Sequence, residues 1–215
     1  MHFCCPAGGH YAIIIHNGGR NDFRPPFLTR KGRYNMHLQE KTVDSKEIFS
    51  GKVFDVHLDK AELENGDTVS RELILHPGGV CVVALTDKNE VLMVKQFRYP
   101  FQTQLIEVPA GKLEKGEDHR DAALRELKEE TGAECESLEY IGVCYPSVAY
   151  LTEKIHMYLA RGLSFGESHP DDDEFLDVMR IPFDKAVDMV MNGELPDAKT
   201  QIALLKAKIM LSQKS

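Results

Sequence analysis

Residues Gly111 to Ala133 read GKLEKGEDHRDAALRELKEETGA, and no Gly or Pro interrupts the run from Asp118 to Thr131. Good helix formers fill that run, so a helix is expected over Asp118–Thr131. On it Glu126, Glu129 and Glu130 stand at i, i+3 and i+4 and share one face. Ala123, Leu124 and Leu127 make an adjoining apolar stripe, so one side can be buried with carboxylates presented beside it. Like charges at this spacing cost roughly a few tenths of a kcal/mol per pair on a solvated helix, and more as water is withdrawn. Arg125 can neutralise one carboxylate, and a hard divalent cation with oxygen ligands can neutralise the others. The competing reading is an ordinary solvated acidic helix with i,i+4 pairs.

The complete spacing separates the two. Gly111, five residues, Glu117, seven residues, then Arg125-Glu126-Leu127-Lys128-Glu129-Glu130-Thr131-Gly132 resembles the Nudix hydrolase signature. Only the last position departs, with Ala133 where the signature has a bulky aliphatic. The resemblance implies an α/β fold, the Nudix α/β/α sandwich with a mixed sheet. It also implies a loop-helix-loop that holds Mg²⁺ or Mn²⁺ against the diphosphate of a nucleoside diphosphate linked to another group. By the same resemblance Glu126 and Glu130 are the main metal ligands, and Glu129, Glu117 and the Ala110 carbonyl join them. Arg125 orients the cluster by ion pairing.

The rest of the chain is consistent with a small-molecule enzyme. Its 215 residues, 42% of them hydrophobic, are enough to bury a sizeable core in one domain with a small extension. A net charge of -8 argues against a nucleic-acid surface, which needs clustered Lys and Arg. No apolar run approaches membrane-spanning length and Ala12–Ile15 is too short for a signal core, so no membrane partner and a cytoplasmic setting are expected. Cys4, Cys5, Cys81, Cys135 and Cys144 are odd in number and lack paired metal-ligand spacing, so they read as reduced thiols.

Residues 1–35 differ from the remainder of the chain, with Asp22 as the one acid against Arg20, Arg24, Arg30, Lys31 and Arg33. They read as a disordered tail, or as an extension preceding a true start at Met36. His2, Cys4, Cys5 and His10 match no common zinc-finger spacing. From 36 to 76 an N-terminal antiparallel sheet is expected. Phe54, Val56 and Leu58 alternate with polar residues, Glu64-Asn65-Gly66-Asp67 supplies a turn, and Thr68–Leu75 returns. The Nudix domain proper spans 77–215. Strands are expected at Val80–Thr86, Glu90–Phe97, Gln104–Val108, Glu139–Cys144, Lys154–Ala160 and Phe175–Ile181, with helices at Phe183–Met191 and Asp197–Leu211.

Arg71-Glu72, His76-Pro77-Gly78, Lys95-Gln96-Phe97-Arg98, Glu107-Val108-Pro109-Ala110-Gly111 and Asp197-Ala198-Lys199-Thr200 extend the resemblance to bacterial ADP-ribose pyrophosphatases. That resemblance implies a homodimer built on the N-terminal sheet, and hydrolysis of ADP-ribose or a related ADP-sugar to AMP and a sugar phosphate. It also makes Arg71 and Arg98 substrate contacts, a task suited to the two-pronged guanidinium, against the alternative of structural ion pairs. The acidic run Asp171-Asp172-Asp173-Glu174 reads by itself as a solvated loop; the resemblance implies that Glu174 is the catalytic base, with Asp172 second. Ser147-Val148-Ala149 departs from the Ser-Pro-Gly of ADP-ribose enzymes and leaves other nucleoside diphosphate derivatives open. Tyr150 in that loop either stacks on a base or packs. A nucleotide-binding regulator without turnover is the reading from another class, and the complete acid set weighs against it.

Overall fold

The computed structural model describes residues 38–168 and 175–213. The chain divides into a unit Met1–Leu38 and a unit Gln39–Ser215, and every strand and helix named below belongs to the second. The 1–35 extension with its cysteines and histidines, the start at Met36, and the acidic run with Asp172 and Glu174 lie outside the described residues.

Strand β4 (Gly79–Ala84) shows why the chain forms a layered sandwich. Every residue of it is buried, and alternate side chains enter two different cores. Val80, Val82 and Ala84 pack with Ala122, Ala123 and Leu127 of helix α1 (His119–Thr131), while Cys81 and Val83 pack with Ala203, Leu204 and Ala207 of α3 (Ala198–Gln213). A strand apolar at both parities must be covered on both faces, and helices supply both covers. β4 runs parallel to β9 (Ile155–Phe165) and antiparallel to β7 (Ala110–Lys112), and β8 (Ala133–Cys144) closes the order β7-β4-β9-β8. A second sheet, antiparallel throughout, has the order β10-β5-β6, from β5 (Glu90–Arg98), β6 (Thr103–Glu107) and β10 (Leu176–Pro182). Helix α2 (Phe183–Met191) follows β10 directly. This is the mixed α/β architecture that the sequence implies.

The N-terminal sheet is antiparallel, in the order β1-β2-β3. β2 (Asp55–Glu62) and β3 (Thr68–Leu75) are the expected hairpin, its loop closed by Leu63 N–H to Asp67 O at 2.8 Å. β1 (Lys41–Ser50) is not foreseen from the sequence. All ten of its residues are exposed, and register shifts at Thr42/Asp44 and Glu47/Phe49 break the alternation that would reveal it. β8 also begins earlier than expected, directly after the helix.

Candidate active site

Helix α1 starts at an N-cap, where the Asp118 carboxylate accepts the Arg120 N–H at 2.8 Å, and ends at Gly132 in the left-handed conformation, φ 67°. Asp118 in that role stabilises the helix by about 1 kcal/mol. Between the caps the buried stripe is Ala122, Ala123 and Leu127, and Leu124 lies outside it, exposed. The carboxylates are less solvated than expected: Glu126 is 9% exposed and Glu130 2%.

Arg125 does more than neutralise one acid. Its Nη1 donates to Glu126 Oε1 at 2.7 Å and to Glu129 Oε2 at 2.8 Å, while its Nε donates to Glu117 Oε1 at 2.9 Å. One guanidinium thus gathers acids from the loop and from two places on the helix. The Glu117 bond, the largest influence, and the neighbouring Glu126 and Glu129 raise the guanidinium's affinity for its proton, against the cost of burial. The same Arg125 bond holds the Glu117 carboxyl below its ordinary range. Glu117 also accepts the Glu114 N–H at 2.8 Å, which closes the loop ahead of the helix.

Glu130 meets the same segment from its own position on the helix, and its Oε2 accepts the Ala110 N–H at 2.9 Å. Gly111 explains how the loop comes so near the helix: a Cβ at that position would fall inside the Glu126 carboxylate. Carboxylates at the helix face beside the Ala110 backbone offer oxygen donors, the kind that suits a hard divalent cation. Among the described residues no three His, Cys, Asp or Glu side chains already form a group able to hold a metal ion; Glu117, Glu126 and Glu129 are instead bonded to Arg125. The residues fit such an ion in chemistry: Gly111 lets the Glu126 carboxylate lie against the loop, and Arg125 holds Glu126 and Glu129 together.

The two candidate substrate arginines have different settings. Arg98 donates from Nε and Nη2 to both oxygens of Glu107, each at 2.6 Å, and Glu107 is 1% exposed. Lys199 also bonds Glu107 and lies 3.1 Å from Asp197. Burial alone would push the Glu107 carboxyl up, but the Arg98 and Lys199 bonds outweigh it and hold the group below its ordinary value. Glu130 and Asp197 are both near enough to strengthen the charge on Arg98, so this cluster borders the acidic helix face. Glu107 and Lys199 fall within the sequence stretches that carry the resemblance, but local spacing gives neither of them a role.

Arg71, on β3, donates to Glu40 at 2.7 and 2.8 Å and is exposed. It lines a groove of about 440 Å³ together with Glu40, Asp59, Val148 and Tyr150. The loop carrying Val148 is fastened to β3 by Ile74 N–H to Tyr150 O, 2.7 Å, and Thr152 N–H to Ile74 O, 3.0 Å. Arg71, the departing Val148 and Tyr150 therefore share one surface.

Comparison with known proteins bears on this geometry. The model of the NUDIX domain matches residues 75–203. Two Bacillus proteins are each 45% identical over 169 residues, covering 78% of this chain and 91% of the relative: an ADP-ribose pyrophosphatase of Bacillus subtilis (strain 168) and a methanol dehydrogenase activator of Bacillus methanolicus. A crystal structure of an ADP compounds hydrolase superposes with a TM-score of 0.74 at 20% identity, over 82% of this chain and 96% of that one.

Proposed function

Because this chain belongs to the Nudix family, we propose that it is a pyrophosphatase that hydrolyses the diphosphate of ADP-ribose or a related ADP-sugar to AMP and a sugar phosphate. The observation that carries the reading is the buried convergence of Glu126 and Glu130 on Ala110 and Gly111 at the start of β7. A helix kept for stability alone would not bury carboxylates there, since a buried acid costs more than the apolar residue it replaces. The relative named as an ADP-ribose pyrophosphatase supports the choice of substrate.

Nudix hydrolases work with a divalent metal, and Mg²⁺ is our choice here, with Mn²⁺ as its substitute. Glu126, Glu130, Glu129, Glu117 and the Ala110 carbonyl would hold it, and when bound it supplies charge screening at the phosphoryl oxygens. Arg125 keeps the acids from splaying until then. Arg98 and Arg71 bind the phosphates or the terminal ribose, Arg71 after exchanging Glu40 for substrate. Glu174 takes the proton of the attacking water, with Asp172 as the second choice. Replacing Glu174 by Gln is expected to lower kcat by about a hundredfold with little change in KM.

The same proposal assigns 36–76 to dimerisation and 77–215 to catalysis. Ile48, Phe49, Phe54 and Leu58 of the N-terminal sheet region are exposed, which suits a homodimer, and sedimentation equilibrium at micromolar concentration tests it. A monomer there would remove the dimer from the proposal. The three described cysteines, Cys81, Cys135 and Cys144, are free thiols, in keeping with a reducing cytoplasm, and no described helix is long and apolar enough to cross a membrane.

A panel of nucleotides incubated with protein and Mg²⁺, with products separated by chromatography, tests the whole reading. AMP and ribose 5-phosphate from ADP-ribose are expected to form fastest. Faster cleavage of another nucleoside diphosphate sugar or of a dinucleoside polyphosphate would move the substrate and keep the chemistry. Binding without turnover across the panel would replace the enzyme with a nucleotide-binding regulator.

A further inference from the structure

We infer that Lys199, at the start of the C-terminal helix α3, is a positioning residue for the active site: it acts through the buried Glu107 to fix Arg98 against the acidic helix face. This rests on the proposed role of Arg98 in binding substrate.

The chain of contacts is continuous. Arg98 presents Nε and Nη2 to Glu107, at 2.6 Å each, so the plane of the guanidinium is set by the plane of one carboxylate. Its remaining nitrogen, Nη1, has no hydrogen-bond partner among the described residues. That carboxylate cannot swing, because Oε2 is also held by Lys199. Lys199 is tied in turn to Asp197, 3.1 Å away, and Asp197 accepts the Thr200 N–H at 2.9 Å, which fixes it to the first turn of α3.

The same turn reaches the loop beside the proposed metal site. The Val108 N–H donates to the buried Thr200 Oγ1 at 3.0 Å, the Val82 N–H to Pro109 O at 2.9 Å, and the Ala110 N–H to Glu130 at 2.9 Å. From Glu107 to Ala110 each residue is therefore held, and two of the holds come from α3. Lys199 itself does not reach substrate: its side chain is 12% exposed, and its ammonium group is engaged by the carboxylates of Glu107 and Asp197.

Stability does not account for this arrangement. Four alternating charges, Arg98, Glu107, Lys199 and Asp197, have been withdrawn partly or wholly from water, and apolar side chains of similar volume commonly serve a fold as well or better. Glu107 would be satisfied by Arg98 alone if its only need were a counter-charge. A second cation on the far side is what stops the carboxylate, and with it the arginine, from rotating. Precise placement of a substrate-binding group is worth much in rate and affinity, and its loss appears wherever that group is used.

A double-mutant cycle tests the inference. Lys199→Met is expected to raise the KM for ADP-ribose about tenfold with kcat within about twofold, and Lys199→Arg to restore most of the loss. In an Arg98→Ala background the further change from Lys199→Met is expected to shrink to less than about twofold, since the group being positioned is gone. Lys199→Met leaves Glu107 with one cation, so the neutral pair Glu107→Gln/Lys199→Met is measured beside it; it lacks the unpaired acid and is expected to show the same rise in KM. Full and independent effects of the two substitutions would overturn the inference, as would a wild-type KM in the neutral pair. Arg98→Ala without effect on KM or kcat would instead sink the assignment of Arg98 to substrate, a distinguishable result.

Discussion

The signature helix and the N-terminal sheet show two ways of using charge. At the acidic face of α1 two clusters are buried or half-buried and built on shared partners: Arg125 with Glu117, Glu126 and Glu129, and Glu107 with Arg98 and Lys199. In the sheet β1-β2-β3 the ion pairs are solvated and join one acid to one base, such as Arg71 with Glu40 and Lys60 with Asp44. In the first region a side chain is hard to change because others depend on it. In the second, water can replace almost any partner. In the proposed function, groups that need fixed geometry lie in the first region, and Arg71, which must exchange Glu40 for substrate, lies in the second.

The most severe test of that contrast is at the acids themselves. Glu126→Gln and Glu130→Gln are expected to lower kcat/KM by about a thousandfold or more, since the amide keeps the shape and loses the charge. Arg71→Met is expected to raise KM only severalfold, visible in the same progress curves. Comparable losses at Arg71 would erase the distinction between the regions.

Two glycines sharpen it further. Gly111→Ala places a methyl group in the Glu126 carboxylate, so activity is expected to fall about a hundredfold while the thermal midpoint moves little. Gly66, φ +86°, has nothing within 4 Å of a would-be Cβ. Gly66→Ala is therefore expected to cost about 1 kcal/mol of stability through backbone strain alone, with turnover unchanged.

Glu107 gives the contrast a pH dependence. Its carboxyl is held below the ordinary 4.5 in the fold, so the stability it contributes is present above that value and is lost as pH falls through the lower folded value. Urea unfolding is expected to show Glu107→Gln less stable than the parent by about 3 kcal/mol at pH 7. The gap should narrow steadily below pH 4.5. A gap constant down to acid unfolding would mean that the acid's charge is not what holds the cluster. At the small end, Glu40→Gln, just ahead of β1, is expected to leave the urea midpoint unchanged at any pH between 6 and 8, because its pair with Arg71 is solvated.

The two regions also differ in how far they can be read from sequence. The helix and the hairpin Asp55–Leu75 follow from local patterns: spacing, periodicity and turn residues. The short strand β7 does not, because Ala110–Lys112 lies where the spacing suggests only the loop before the helix. β1 does not, because a fully exposed strand with two register shifts carries no alternation. Nor does the tie between Lys199 and Glu107, which joins residues 92 positions apart. The burial of Glu126 and Glu130 is hidden for a related reason: a run of acids looks solvated until the neighbouring loop is known to press a glycine against it.

Manganese binding followed by electron paramagnetic resonance bears most directly on the acid face. Titrated into the protein, free Mn²⁺ signal is expected to be quenched saturably, and the quenching to be lost when Glu126 and Glu130 are both replaced by Gln. Equal quenching by that variant, or none by the parent protein even with ADP-ribose present, would contradict the assignment of these acids to a metal.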